Sequence, residues 1–122
     1  MSKIKVAVIG CGHWGGNLVR NFYELDALAA VHDPSDQVMM EISSMYNLTG
    51  SSIESIIENK NIHGVVIAAP APLHSSLSQM AMKADKHVYV EKPIAMSLSE
   101  ADEMISLSEK KKKHLMVGHL LQ

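Results

Sequence analysis

Two stretches of this sequence and one isolated acid carry residue types that could do chemistry. Gly10, Gly12 and Gly15 stand at G-x-G-x-x-G spacing in "GCGHWG", directly behind the apolar run "VAVI". Between a strand and a helix, that spacing suits a phosphate cradle. The first glycine permits a tight turn, the second lets backbone N–H groups approach a pyrophosphate, and the third lets the helix pack closely on the strand. The helix would also aim its unpaired N–H groups and positive dipole end at the phosphates. His13 and Trp14 lie inside the turn and would contribute their backbone N–H groups. Cys11 lies there too; a helix N-terminus can activate a thiol, but a small side chain in a crowded turn accounts for it better.

Asp33 follows the second apolar run, 18 residues beyond Gly15. A carboxylate there would accept hydrogen bonds from adenosine ribose hydroxyls and repel a 2′-phosphate, which predicts NAD over NADP. The competing reading is that "DPS" is simply a turn and helix start. His32, beside it, carries no pattern of its own and reads as a surface or strand-edge histidine. Glu91 and Lys92, in "YVEKPIAMS", place a carboxylate and an ammonium at the carboxyl end of a strand, the edge where open α/β sheets take ligands. A lysine beside a nicotinamide suits proton transfer, whereas a plain surface Glu-Lys pair contributes under about 1 kcal/mol.

The elements that must position these residues are legible as runs. "KIKVAVI" (3–9), "ALAAVHD" (27–33), "GVVIAA" (64–69), "HVYVE" (87–91) and "HLMVG" (114–118) are apolar strands, several of them fit for burial on both faces. Helical spacing links Trp14, Leu18, Phe22 and Leu25; then Val38, Ile42 and Met45 behind a Ser35 cap; then Ile53, Ile56 and Ile57 behind the capping-box spacing of Ser51 and Glu54. Leu73, Leu77, Met80, Ala81 and Ala84 form a further stripe. Leu98, Ala101, Met104 and Ile105 follow a capping box at Ser97 and Glu100. Strands alternating with helices give an α/β fold, a doubly wound parallel sheet with helices on both faces.

The 122 residues are 47% hydrophobic and 20% charged with a formal charge of −2, enough for one core and without the basic balance that nucleic acid or an anionic membrane would call for. One cysteine excludes an internal disulfide and fits a reducing, cytoplasmic setting. A strand begins almost at once, leaving no room for a signal peptide, and no apolar run is long enough to span a bilayer. Lys110–Lys113 reads as cations at a helix C-terminus. No metal-ligand spacing is present.

Taken together, the glycine turn, the acid ending the second strand, "AAPAPLH" after the fourth strand and "EKP" after the fifth resemble the glucose-fructose oxidoreductase/inositol dehydrogenase/MocA family over essentially the whole chain. "GCGHWGGNLVRNFYEL" and "VGHLLQ" resemble, more narrowly, bacterial oxidases of UDP-N-acetylglucosamine or its uronic acid. The resemblance implies a Rossmann NAD-binding domain over 1–118, with 119–122 starting the crossover to an α+β substrate domain absent here. It implies that Lys92 sits between nicotinamide and substrate and relays the hydroxyl proton, and that Glu91 lines the nicotinamide side. Ala69, Pro70, Leu73 and His74 would border the cofactor, Pro93 would follow a cis bond, and His119 would face the pocket or simply pack. A nucleotide-sugar substrate and a homo-oligomer are the implied partners, with little turnover expected from this domain alone. Another oxidoreductase of the family, or a non-catalytic NAD(H)-binding or redox-sensing module using Cys11, are the alternatives.

Overall fold

The computed structural model describes residues 4–10, 15–48 and 50–118. Strands β1 (Val6–Ile9), β2 (Leu28–His32), β3 (Gly64–Ile67), β4 (His87–Glu91) and β5 (Leu115–Gly118) form one parallel sheet in the order β2-β1-β3-β4-β5. The intervening helices are α1 (Gly15–Glu24), α2 (Asp36–Tyr46), α3 (Ile53–Glu58), α4 (His74–Lys83) and α5 (Leu98–Lys111), with a 3-10 turn over Ala71–Leu73 ahead of α4. The strands are one to three residues shorter than the apolar runs that announced four of the five. "AAPAPLH" and "EKP" follow β3 and β4, the third and fourth strands, and not the fourth and fifth of the sequence reading, because the chain forms only two strands, β1 and β2, ahead of Gly64 among the described residues.

Every residue of β1 and β3 is buried, as both-face apolar runs require. On one face Val8, Val31 and Val66 pack with Val19 of α1 and Ile42 of α2. On the other, Ile9, Ile67 and Val90 meet Ile56 of α3, Met82 of α4 and Met104 of α5. Burying each such side chain stabilises the fold by roughly 1.5–3 kcal/mol.

Several helical faces differ from the sequence reading. The Ser35 and Ser97 caps are present, each hydroxyl accepting a main-chain N–H three residues on. In α3 the cap is Ser52, not Ser51. Met45 is exposed although Ile42 is buried, and Leu25 lies exposed beyond the end of α1, where Val19 is the buried anchor. In α4 the buried positions include His74, Leu77, Ser78, Ala81 and Met82, while Leu73 and Met80 face outward. In α5 Met104 and Ser108 are buried, and Leu98 and Ile105 are exposed. Lys110 and Lys111 occupy the last turn of α5, and Lys111 meets Asp85 at 2.9 Å.

The amino-terminal edge of the sheet holds a pH-sensitive contact. His87 Nδ1 accepts the His114 N–H at 2.9 Å, and the two rings lie with centroids 5.0 Å apart. Burial, then Lys113, His114 and His63, push the His87 imidazole below its ordinary value. The folded state therefore favours neutral His87, and its stabilisation is complete above the unfolded value of about 6.5 and lost as pH falls through the folded one. Urea midpoints should decline on acidification below about pH 6.5, and His87→Gln should flatten that decline.

Candidate functional site

Chain order places β1 at the switch of the sheet. The connection from β1 runs through α1 to β2 on one side, and the chain then returns to β3 on the other, so the helices after β1 and β3 go to opposite faces and leave a crevice between the strand ends. A cavity of about 580 Å³ occupies that crevice. Gly10, Asp33, Ala69, Pro70 and Leu73, all anticipated from sequence, line it.

Gly10 is the pivot. It is buried, its φ is +93°, and its N–H donates to His32 O at 2.7 Å. A Cβ on it would lie 2.7 Å from Ala69 N and 2.8 Å from Ala68 C. Only glycine lets the end of β1 pass so close to the end of β3. Gly15 opens α1. Cys11, Gly12, His13 and Trp14 lie outside the described residues, as does His119.

Asp33 sits just past β2, half-buried. Its Oδ1 accepts the Ser35 N–H at 2.9 Å, and its own N–H donates to Met39 Sδ at 3.0 Å. The turn reading and the ligand reading are compatible, because a carboxylate has about four acceptor sites and the turn bond uses one. His32, which the sequence left without a role, is a cavity residue whose Nδ1 donates to Ser51 O at 2.8 Å. That bond, with Ser51 N donating to Val31 O at 3.1 Å, holds Ser51 against the end of β2. The cavity also takes Ile53 and Leu77, from α3 and α4, which the sequence offered only as packing residues.

Glu91 and Lys92 lie at the same edge, one strand beyond Ala69. Glu91 is half-buried and paired in register with Gly118; Lys92 is exposed, and its N–H donates to Gly118 O at 3.2 Å. The Lys92–Pro93 bond is cis. Neither Glu91 nor Lys92 lines the crevice itself. His74 differs most from expectation: it is 2% exposed and is not a lining residue of the crevice. Its Nδ1 lies 2.7 Å from Pro93 O and its Nε2 2.7 Å from Ala69 O.

Among the described residues, no group of three or more His, Cys, Asp or Glu side chains could hold a metal ion, and no helix is long and apolar enough to cross a membrane.

Residues 4–119 match the profile of the GFO_IDH_MocA family, described as "Oxidoreductase family, NAD-binding Rossmann fold". The chain is 29% identical over 122 residues to 2,7-anhydro-N-acetylneuraminate hydratase of Escherichia coli K12, covering 97% of this chain and 32% of that protein. It is 26% identical over 121 residues to UDP-N-acetylglucosamine 3-dehydrogenase of Acidithiobacillus ferrooxidans, covering 98% and 38%. The solved structure of that dehydrogenase superposes with a TM-score of 0.90. Biliverdin reductase of Synechocystis, solved with biliverdin and NADP+, superposes at 0.89 over 95% of this chain and 38% of that one, with 23% identity, a likeness of fold alone. The chain thus spans about a third of the length of the curated relatives it matches.

Proposed function

The chain belongs to the glucose-fructose oxidoreductase/inositol dehydrogenase/MocA oxidoreductase family as its NAD-binding Rossmann domain, and on that premise we propose that it is the cofactor half of a sugar oxidoreductase that binds NAD in preference to NADP. One observation carries this reading. Asp33, Gly10, Ala69 and Lys92 follow one another along the carboxyl edge, just past the ends of β2, β1, β3 and β4, in the spatial order of the sheet. Three inter-strand steps of about 4.8 Å separate the first from the last, a span suited to a dinucleotide. The acid would take the adenosine ribose, the glycine turn the pyrophosphate, and the Ala69–Pro70 wall with Glu91 the nicotinamide side.

Bound NAD supplies the acceptor for a hydride leaving a ring carbon of the sugar. Lys92 would serve the other half of the reaction. Its exposed side-chain nitrogen, carried at a strand end, would in its unprotonated form accept the hydrogen bond of the reacting hydroxyl and take up the proton that leaves with oxidation. The finer choice of a UDP-N-acetylhexosamine or uronate draws support from the 26% identity to the UDP-N-acetylglucosamine dehydrogenase. The hydratase among the relatives keeps other reactions of the family in view. Self-association draws support from the exposure of Met116 and Val117 on edge strand β5.

Calorimetric titration with NAD, NADP and UDP-N-acetylglucosamine tests the reading, together with fluorescence of reduced nicotinamide in the ternary mixture. NAD is expected to bind at least about tenfold more tightly than NADP, a difference of about 1.4 kcal/mol. Absence of NAD binding, or preference for NADP, would defeat it.

A further inference from the structure

We propose that His74 is a positioning residue: a buried imidazole that ties the loop after β3 to the loop after β4 and so sets where Lys92 stands relative to the crevice. The placement of Lys92 at a working site rests on the function proposed above; the tie itself does not.

The ring sits at the first residue of α4, directly behind the 3-10 turn over Ala71–Leu73. At 2% exposure it is sealed from water, so its two nitrogens must find partners inside the protein. Both face main-chain carbonyls at 2.7 Å, and the carbonyls belong to different loops. Ala69 is a wall of the crevice. Pro93 follows Lys92 in the chain. A neutral imidazole has one N–H and bonds only one of the two oxygens, whereas the imidazolium donates to both; with the N–H on Nδ1 the neutral ring bonds Pro93 O, the contact that joins the two loops.

A histidine that merely filled space in the core would not need two loop carbonyls aimed at its nitrogens. The Pro93 loop is also fastened by Lys92 N–H to Gly118 O at 3.2 Å, by Met96 N–H to Glu100 Oε1 at 3.0 Å, and by Ile94 and Ala95, which pack on the core. His74 grips it between those points. It also holds the loop on the side that faces β3, away from the open edge at β5. The crevice wall and the lysine loop are thereby connected through one side chain.

Hydrogen exchange on the ligand-free chain tests the tie without assuming any ligand. In His74→Leu, the amides of Leu73 and Lys92 should exchange about tenfold faster or more through local opening, while those of Met82 and Met104 keep their protection. His74→Gln, which retains a donor, should recover part of the protection. Uniform acceleration across α4 and α5, or none at Leu73 and Lys92, would overturn the proposal. Should His74→Leu fail to fold, the wild-type ring decides: a His74 ring N–H resolved by nuclear magnetic resonance and slow to exchange is expected, and a rapidly exchanging one refutes the tie. In the folded variants NAD should bind about tenfold more weakly, with ADP-ribose, which lacks nicotinamide, within about twofold of wild type. An equal loss for both nucleotides would also overturn it. A wild-type chain that binds no NAD would sink the proposed function, with the exchange data still judging the tie.

Discussion

Gly10→Ala is expected to abolish NAD binding and to lower the unfolding free energy by about 2–5 kcal/mol. Two costs add. At φ +93° an L-residue is strained, at roughly 1–2 kcal/mol. The new methyl would also lie 2.7 Å from Ala69 N, 2.8 Å from Ala68 C and 2.9 Å from Ala68 O, an overpacking that typically adds about 1–3 kcal/mol. All three obstacles are main-chain atoms, so no flexible side chain can swing away. Ala68 N–H is moreover bonded to Ile9 O at 2.8 Å, so relief means parting β1 from β3 where the crevice opens. Gly64→Ala is the control. Its Cβ would meet His87 O and Val6 Cγ1 at 3.5 Å, an ordinary contact, so the change should be neutral or stabilising by up to about 1 kcal/mol. Urea unfolding and NAD titration of both variants measure the contrast; equal effects would remove Gly10 from its pivotal place.

What made that turn readable was local. A glycine behind a run buried on both faces, with an acid 18 residues past the last glycine of the motif, needs no knowledge of distant contacts. The paired burial of β1 and β3, and the caps at Ser35 and Ser97, were legible for the same reason. The differences arise where distant main chain intervenes. Ser51 gives its N–H to Val31 and its carbonyl to His32, so the adjacent Ser52 takes over as cap of α3. The 3-10 turn over Ala71–Leu73 starts α4 at His74 and resets which positions face the sheet, turning Met80 outward and Ser78 inward. His74 appeared in the sequence only through the family's pattern, bordering a cofactor. Its partner Pro93 is 19 residues away, and nothing in the spacing announces a bond from ring nitrogen to carbonyl. Strand ends and caps are written in neighbouring residues; ties between loops are not.

Asp33→Ala should weaken NAD binding by about 10–100-fold, as the loss of one or two charge-assisted hydrogen bonds worth about 1.5–3 kcal/mol predicts. The same change should narrow the gap between NAD and NADP, because the carboxylate that repels a 2′-phosphate is gone. Alanine also removes the acceptor of the Ser35 N–H, so part of the loss could come from a loosened turn. Asp33→Asn separates the two effects. Its side-chain oxygen can still accept from Ser35, while the charge is absent. If the charge does the discriminating, Asn and Ala variants should narrow the NAD/NADP gap alike, and only the Ala variant should lose turn stability. Salt gives an independent handle, since the repulsion of a half-buried carboxylate is screened in part, the screening length being about 10 Å at 0.1 M. Wild-type discrimination should therefore shrink as salt rises, and that of the variants should hardly move. An Asn variant that still rejects NADP as strongly as wild type would assign the discrimination to something other than the Asp33 charge, with Asp33 left as a turn residue.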